Sequence, residues 1–271
     1  MDKHAENTAR FMALHQQEHA FVLANAWDVG SAKLLASLGF DALATTSSGY
    51  CATLGRLDYG VSREEALAHA EGLVAATDLP VSADFEDGFA RDPAGVAETV
   101  RLALEIGLAG CSVEDWSAAD GRLYGAEAAA ERVAAAAEAA HGGAVQLVLT
   151  ARAENYLHGN PDLRDTIARL QAYEEAGADV LFAPALDSPE DLRELIASVD
   201  LPVNVLARRG APSVPELTGL GVKRVSVGGG LAFAALGAVV GAATELLTEG
   251  TYGYTQLSGI GAKAAQTAFP D

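Results

Sequence analysis

The segment VSADFEDGF, at residues 81–89, combines the start of a buried strand with a cluster of acids. Its apolar opening follows Leu79-Pro80, and the acids and glycine come where a strand should give way to a loop. The carboxylates of Asp84, Glu86 and Asp87 repel one another, and burying them unpaired would be costly. A divalent cation would relieve this repulsion, and carboxylate oxygens suit Mg2+ or Mn2+. A solvated acidic turn is the alternative for this segment alone.

The rest of the chain repeats short apolar strands and helices around this segment. Eight strands alternate with helices, as in a (β/α)8 TIM barrel, while an open doubly wound sheet would need a glycine-rich nucleotide turn that is absent. The predicted strands cover residues 21–25, 41–45, a third from Val81, 110–114, 146–150, 179–183, 202–206 and 224–227. We therefore predict an α/β fold with a single barrel domain over residues 1–271. It has an N-terminal helix, a barrel core at about 20–247 and a helical tail at 248–271 in oligomer contacts.

Composition restricts the function. The formal charge of −19 argues against nucleic acid and against an anionic membrane surface. An acidic substrate would need a local cation in its pocket to overcome this charge. Two cysteines give no disulfide framework, and the N-terminus lacks a signal-peptide core. The apolar segment Leu231 to Val240 is predicted to be too short to span a bilayer. These features predict a soluble cytoplasmic protein.

Ionisable side chains are predicted at the carboxyl ends of the strands, which form the catalytic face of such a barrel. Asp84, Glu86 and Glu114 are candidate ligands for Mg2+, and Arg152 is a candidate to neutralise a substrate carboxylate or enolate. The turn at residues 47–50 is expected to bind a carboxylate through its backbone N–H groups. The full set of candidate residues comprises catalytic Asp58, Glu114 and Arg152; substrate-binding Ser47, Ser48, Gly49, Tyr50, Arg152 and Asn204; and metal-binding Asp84, Glu86 and Glu114.

Several motifs in order resemble the isocitrate lyase / phosphoenolpyruvate mutase superfamily. They are Asn25-Ala26-Trp27-Asp28, Ser47-Ser48-Gly49, Leu54-Gly55 to Asp58, Asp84 to Phe89, Val113-Glu114-Asp115 and Ala151-Arg152-Ala153-Glu154. The resemblance implies a (β/α)8 barrel, Mg2+, an α-oxo-carboxylate or enolate intermediate, and usually a tetramer with exchanged C-terminal helices. It also implies that the residues matching Asp58, Asp84, Glu86 and Glu114 surround the metal. The residue matching Arg152 then contacts the substrate, and the turn matching Ser47-Ser48-Gly49 holds its carboxylate.

The sequence departs from the superfamily after the fourth strand. Isocitrate and methylisocitrate lyases carry a Lys-x-Cys-Gly-His loop there, whereas residues 116–124 read WSAADGRLY. This departure argues against those two activities, and the gating-loop asparagine of the mutases is also absent. The general acid or base therefore stays unassigned.

Three functions remain open on the sequence. The preferred one is a Mg2+-dependent lyase or hydrolase that cleaves a C–C bond in a small 2-oxo or 2-hydroxy di- or tricarboxylic acid through an enolate. The alternatives are a phosphoenolpyruvate mutase or phosphonopyruvate hydrolase acting on a P–C bond, and a non-catalytic 2-oxo acid binding protein. The expected partners are a small carboxylate substrate and further copies of the chain, as a dimer or tetramer.

Overall fold

The computed structural model describes residues 3–269, whose centre is a closed barrel of parallel strands. The eight barrel strands are β1 (Phe21–Ala26), β2 (Leu43–Thr45), β3 (Val81–Asp84), β4 (Gly110–Glu114), β7 (Val148–Arg152), β8 (Val180–Phe182), β9 (Val203–Leu206) and β10 (Arg224–Ser226). They are hydrogen-bonded in the order β1-β10-β9-β8-β7-β4-β3-β2, and β1 pairs with β2 to close the ring. The predicted TIM barrel is confirmed.

Two further strands and eleven helices complete the described chain. The strands β5 (Trp116–Ser117) and β6 (Arg122–Leu123) pair antiparallel as a hairpin beside the barrel mouth. The helices are α1 (Lys3–Leu14), α2 (Val29–Ser37), α3 (Ser47–Thr53), α4 (Arg63–Ala76), α5 (Pro93–Glu105), α6 (Ala126–His141), α7 (Leu163–Glu175), α8 (Pro189–Ala197), α9 (Val214–Leu220), α10 (Gly230–Thr248) and α11 (Thr255–Ala268).

The hydrophobic residues form two layers of core. The larger cluster lies between the barrel strands and the surrounding helices. The smaller cluster includes Phe21, Leu23 and Val148 of the strands, together with Phe11 and Leu14 of α1. Helix α1 thus packs against the amino-terminal part of the barrel, which leaves the carboxyl ends of the strands for the site.

Local signals in the sequence explain where most helices begin. Ser62 caps α4 in a reciprocal capping box with Glu65, and Asp92 caps α5 just before Pro93. Each cap satisfies backbone N–H groups that have no partner inside the helix.

The structure corrects three local predictions. Residues 47–50 are not an irregular turn, because they belong to α3, whose first turn is capped by the Thr46 side chain. The strand predicted at 146–150 lies two residues later, so that Arg152 is its last residue. Residues 116–124, which carried no strand pattern, contain the β5–β6 hairpin.

Helix α10 is longer than the segment Leu231 to Val240 that was singled out in the sequence. It has 19 residues and a mean hydropathy of 1.8, enough by length and composition to cross a membrane, and only 6% of it is buried. The prediction that this segment is too short is therefore wrong. Length and composition alone are weak grounds for a membrane span, and α10 also follows the last barrel strand directly, with Ala232 in its first turn buried.

Candidate active site

A cavity of about 170 Å3 opens at the carboxyl ends of the barrel strands. This volume is below the roughly 300–1,000 Å3 typical of drug-sized ligands, so the cavity suits a small molecule. Sequence-predicted site residues that line it are Ser47, Ser48, Asp58, Asp84, Glu114, Arg152 and Asn204. The cavity is therefore ionic and sits at the catalytic face of the fold.

Arg152 lies at the centre of the acidic residues. Its Nη1 is 2.8 Å from Asp84 Oδ1, its Nη2 is 3.0 Å from Glu114 Oε2, and its Nε is 2.8 Å from Glu154 Oε1. Burial alone would lower the pKa of Arg152, but the charges of the three carboxylates raise it well above its ordinary value. The guanidinium is therefore a fixed cation, and three of its five N–H groups are used to hold it in place.

The acids around Arg152 outnumber it. Glu114 and Glu154 are both buried, and burial raises the pKa of each carboxyl although Arg152 acts in the opposite direction. Tyr59 donates a hydrogen bond from its hydroxyl to Glu114 Oε1 at 2.9 Å, while Glu154 Oε2 is buried without a hydrogen-bond partner. The pair of Tyr59 and Glu114 can therefore hold a proton at the cavity wall.

The start of α3 contributes hydroxyl groups to the cavity. Ser47 donates from its hydroxyl to Asp84 Oδ2 at 3.1 Å, and the Ser48 hydroxyl lies 3.2 Å from that of Thr46. Gly49 is buried beneath them, away from the cavity wall. Tyr50 stacks on His69 with ring centroids 3.9 Å apart, outside this cavity. The structure thus places Ser47 and Ser48, but not Gly49 and Tyr50, where a substrate could touch them.

Glu86 lies beside the cavity rather than in it. Its backbone has a φ of +48°, a left-handed conformation that is uncommon for a residue with a side chain. It lines a neighbouring groove of about 690 Å3 between the β5–β6 hairpin and the residues after β3. Its Oε1 is buried without a partner, and burial, followed by the charges of Asp84, Asp58 and Asp87, raises the pKa of its carboxyl to about 8.

Asp58 is exposed at the rim of the cavity. Desolvation by the surrounding protein and the charge of Asp84 raise the pKa of its carboxyl, while hydrogen bonding to Ser47 lowers it. Asp58 and Glu86 thus both experience the negative potential of Asp84 from different sides.

Asp84, Glu86 and Glu114, the predicted Mg2+ ligands, do not form a cluster of three adjacent carboxylates. Within residues 3–269, no three His, Cys, Asp or Glu side chains are grouped closely enough to bind one metal ion directly. Arg152 bridges Asp84 and Glu114, and the left-handed backbone at Glu86 directs this residue toward the groove.

The site nevertheless fits a hydrated divalent cation. The orphaned Glu86 oxygen and the raised pKa values of Glu86 and Asp58 indicate negative charge that Arg152 does not balance. Mg2+ keeps several waters and needs few direct protein ligands. A divalent cation at this site would be held mainly by Asp84, and Asp58, Glu86 and Glu114 would add negative charge around it.

A second network keeps the strand ends in position. Asp115 accepts hydrogen bonds from the backbone N–H of Glu154 at 2.8 Å, from the Tyr173 hydroxyl at 2.6 Å and from Arg169 Nη1 at 3.0 Å. It is buried and outside the cavity. Asp115 therefore fixes the segment after β7 that carries Glu154, although its sequence position beside Glu114 gave no sign of this role.

The sequence matches one protein family over most of its length. The family model described as "Phosphoenolpyruvate phosphomutase" matches residues 11–247. The chain belongs to the isocitrate lyase / phosphoenolpyruvate mutase superfamily. It is 37% identical to an uncharacterized protein of Mycobacterium tuberculosis (strain ATCC 25618 / H37Rv), over 80% of this chain and 81% of that one. It is 31% identical to 2-methylisocitrate lyase of Halalkalibacterium halodurans, over 88% of this chain and 76% of that one.

A solved structure supports the same assignment. A candidate lyase/mutase from Burkholderia cenocepacia J2315 has 50% sequence identity and a TM-score of 0.91, covering 94% of this chain and 93% of its own. The predicted superfamily is confirmed. The protein is an enzyme of this superfamily, and the relatives that are named lyases support a carbon–carbon lyase.

Two ionisable residues that line the cavity, Tyr59 and Arg224, were not predicted from the sequence. Tyr59 could not be predicted because it lies in a loop whose sequence has no periodic pattern. Its contact with Glu114 depends on a left-handed backbone conformation, with a φ of +61°. Arg224 also lines the cavity, and a signal for it existed. It lies two residues before Ser226 on a buried strand, so the two side chains share the inner face of the barrel.

Proposed function

We propose that this enzyme cleaves a C–C bond in a small 2-oxo or 2-hydroxy di- or tricarboxylic acid, as a lyase or hydrolase that uses Mg2+ or Mn2+ and an enolate intermediate. One observation carries the proposal: Arg152 is held by Asp84, Glu114 and Glu154 at the wall of a small cavity at the strand ends. Arg152 supplies the local cation that an anionic substrate needs in a protein with a net charge of −19.

Side chains around the cavity would bind the substrate and place charge near the reacting atoms. When bound, a divalent cation supplies Lewis-acid stabilisation of the developing enolate oxygen. Arg152 has two N–H groups that its carboxylate partners leave free, and these can donate to the substrate carboxylate. Ser47 and Ser48, which also line the cavity, can offer hydroxyl groups to the substrate. Asp58 at the rim then contributes negative charge beside Asp84.

Proton transfer would fall to Glu114 and Tyr59. Burial raises the pKa of Glu114, so a proton stays on this pair at a pH where an exposed glutamate has lost it. Loss of the C–C bond leaves an enolate whose carbon must be protonated, and a pair that holds a proton at the cavity wall can supply it. This arrangement would replace the acid–base loop that the sequence lacks.

Product analysis tests the proposed reaction. The purified enzyme is incubated with C4 to C7 2-oxo and 2-hydroxy di- and tricarboxylates with Mg2+, and products are identified by NMR. We expect one acid to be split into two smaller carbonyl or carboxyl products, with turnover abolished by chelation and by Arg152→Lys. Turnover unaffected by both treatments would contradict the proposal.

A P–C bond reaction is the second candidate, because the family model that matches residues 11–247 is described as a phosphomutase. The same cavity would then hold a phosphonate in place of a carboxylate. Incubation with phosphonopyruvate separates the two candidates. Release of phosphate, or formation of phosphoenolpyruvate, would favour the mutase or hydrolase, whereas an unchanged phosphonate alongside cleavage of a dicarboxylate would favour the lyase.

We also infer that the enzyme assembles as a homo-oligomer, a dimer or tetramer, through α10 and α11. Large apolar side chains on these helices are exposed in the single chain, including Phe233, Val239, Val240, Leu247, Leu257 and Ile260. Exposed apolar surface of this extent is typical of an interaction surface.

A further inference from the structure

A second arginine lies deeper in the barrel than Arg152 and also lines the cavity. Arg224 is 3% exposed, and its guanidinium donates to Asn204 Oδ1 at 3.0 Å, to Thr150 Oγ1 at 3.0 Å and to His15 Nε2 at 3.3 Å. Within residues 3–269 it forms no ion pair with a carboxylate. A buried cation surrounded only by neutral acceptors is unusual, because desolvating a charge is costly unless a counter-ion accompanies it.

His15 does not supply the missing negative charge, nor does it compete for an anion. Its Nδ1 lies 2.9 Å from the backbone carbonyl oxygen of Phe11, so Nδ1 carries the hydrogen and Nε2 accepts from Arg224. Burial, followed by the charge of Arg224, lowers the pKa of His15 to about 3. The imidazole ring of His15 is therefore neutral, and it contacts Arg224 at the bottom of the cavity.

Several inward-facing side chains near Arg224 are small, and two of them are serines. Large branched side chains normally fill the interior of such a barrel. Here the cavity reaches Ala44, Ser82, Ser112 and Arg224 on the inner faces of four strands. The cavity therefore extends below the strand ends as far as the arginine, instead of ending at Arg152.

Arg224 also has donors to spare. Its three hydrogen bonds leave two of its five N–H groups for another acceptor. Asn204, which accepts from Arg224 through Oδ1, donates through Nδ2 to Ser226 Oγ at 2.9 Å. Arg224 thus fixes the orientation of Asn204 and, through it, of a hydroxyl at the cavity wall.

We propose that Arg224 binds the second anionic group of the substrate at the floor of the cavity, and that it selects dianionic over monoanionic acids. This inference rests on the proposed function, because it places the first carboxylate at Arg152. The reacting centre then lies between the Arg152 and Arg224 guanidinium groups, and the divalent cation of the proposed function would be held at Asp84. A monocarboxylic acid would leave Arg224 without a counter-ion and would bind weakly.

The test compares two acids that differ only in the distal group. Isothermal titration calorimetry in Mg2+ measures the Kd of malate and of lactate for the wild type, Arg224→Gln and Arg224→Lys. We expect the wild type to bind malate more tightly than lactate. Arg224→Gln should reduce the ratio of the lactate Kd to the malate Kd by about 10- to 100-fold. Arg224→Lys should retain part of the preference, because it keeps the charge but loses the two-pronged contact.

A matched control addresses stability. Arg132→Gln also removes a buried arginine, one that contacts backbone carbonyl oxygens of Asp87 and Ala90 outside the cavity. We expect it to lower the melting temperature without changing the malate to lactate ratio. A purely structural role for Arg224 predicts the same result for Arg224→Gln, and an unchanged ratio in that variant would overturn the inference.

The outcomes also separate this inference from the proposed function. An Arg224-dependent preference for malate in an enzyme that turns over no oxo or hydroxy acid would support the inference and refute the function. Cleavage of a dicarboxylate together with an unchanged preference for malate in Arg224→Gln would support the function and refute the inference. If the wild type binds neither acid, the inference fails, and product analysis alone decides the proposed function. If chloride or sulfate binds the wild type as tightly as malate does, the floor is a general anion site and the proposed selectivity is wrong.

Discussion

At the scale of single residues, the chemistry depends on a surplus of acid around one arginine. Asp84, Glu114 and Glu154 all contact Arg152, and Tyr59 adds a hydroxyl to Glu114. Burial raises the pKa of Glu114 and of Glu154, which makes the site sensitive to protons and to cations. Two predictions belong to this scale.

The first prediction concerns Tyr59. Tyr59→Phe removes the hydroxyl that donates to Glu114 at 2.9 Å and leaves the ring in place. We expect kcat to fall by about 10²-fold or more, because a positioned proton donor contributes about 10²- to 10⁴-fold. The KM should change little. Tyr252→Phe, at an exposed residue of the C-terminal region, is the control and should retain full activity. Equal kcat in both variants would exclude Tyr59 from proton transfer.

The second prediction concerns the pH dependence of stability in metal-free enzyme. The pKa of Glu86 is about 8 in the fold, against 4.5 in an exposed glutamate, so the folded state binds the extra proton between these values. The free energy of unfolding therefore falls as pH rises from about 5 to 8, and this residue contributes at most about 4 kcal/mol to the fall.

Urea denaturation at several pH values measures this effect. Glu86→Gln is neutral at every pH and should flatten the decline, and Mg2+ should have a similar effect on the wild type. The same slope in wild type and Glu86→Gln, both without metal, would show that Glu86 does not titrate in this range.

At the scale of elements, the placement of α3 depends on close packing at Gly49. A Cβ on Gly49 would come within 2.6 Å of Thr46 Cγ2, 3.1 Å of Trp27 Cβ and 3.2 Å of Ala232 Cβ. The helix that carries Ser47 and Ser48 is therefore pressed directly against the start of α10.

Gly49→Ala should lower the free energy of unfolding by about 1–3 kcal/mol, as overpacking of a core usually does. It should also raise KM, because Ser47 and Ser48 move with the helix. Gly219→Ala, in α9 with no atom within 4 Å of the added carbon, is the matched control and should be neutral or slightly stabilising. Thermal and chemical unfolding measure both variants. Equal stability of the two would contradict the packing argument.

The elements also show how far the sequence could be interpreted. The strands β3 and β4 were predictable because apolar runs end in acids at the same edge, and β7 was displaced by only two residues. Helix α3 was missed because its seven residues, which begin with Ser, Ser and Gly, are too few to show a hydrophobic period. The hairpin was missed because two-residue strands are too short to show an alternating pattern. The direction of the Glu86 side chain depends on the left-handed backbone conformation of Glu86 itself, which the sequence does not predict.

At the scale of the whole molecule, the exposed apolar residues of α10 and α11 predict assembly. Helix α11 packs on α2 of its own chain, but Leu257 and Ile260 stay exposed, as do Val239 and Val240 on α10. We expect sedimentation equilibrium to give a dimer or tetramer mass for the wild type. Val239→Glu combined with Val240→Glu should weaken the assembly, because it would bury two charges.

The control for assembly places charge elsewhere. Leu57→Glu, at a residue 89% exposed in the loop before Tyr59, should leave the mass unchanged. A monomeric wild type would refute the assembly, and so would an unchanged mass in the α10 variant.

The account depends on one divalent cation bound by carboxylates at the barrel mouth, chiefly by Asp84. Mn2+ titration monitored by electron paramagnetic resonance tests it most directly, because free and bound Mn2+ give different signals. We predict one bound Mn2+ per chain in the wild type and in Asp120→Ala, an exposed acid of the hairpin, and loss of binding in Asp84→Ala. Equal binding in Asp84→Ala and wild type, or no binding by the wild type, would contradict the account.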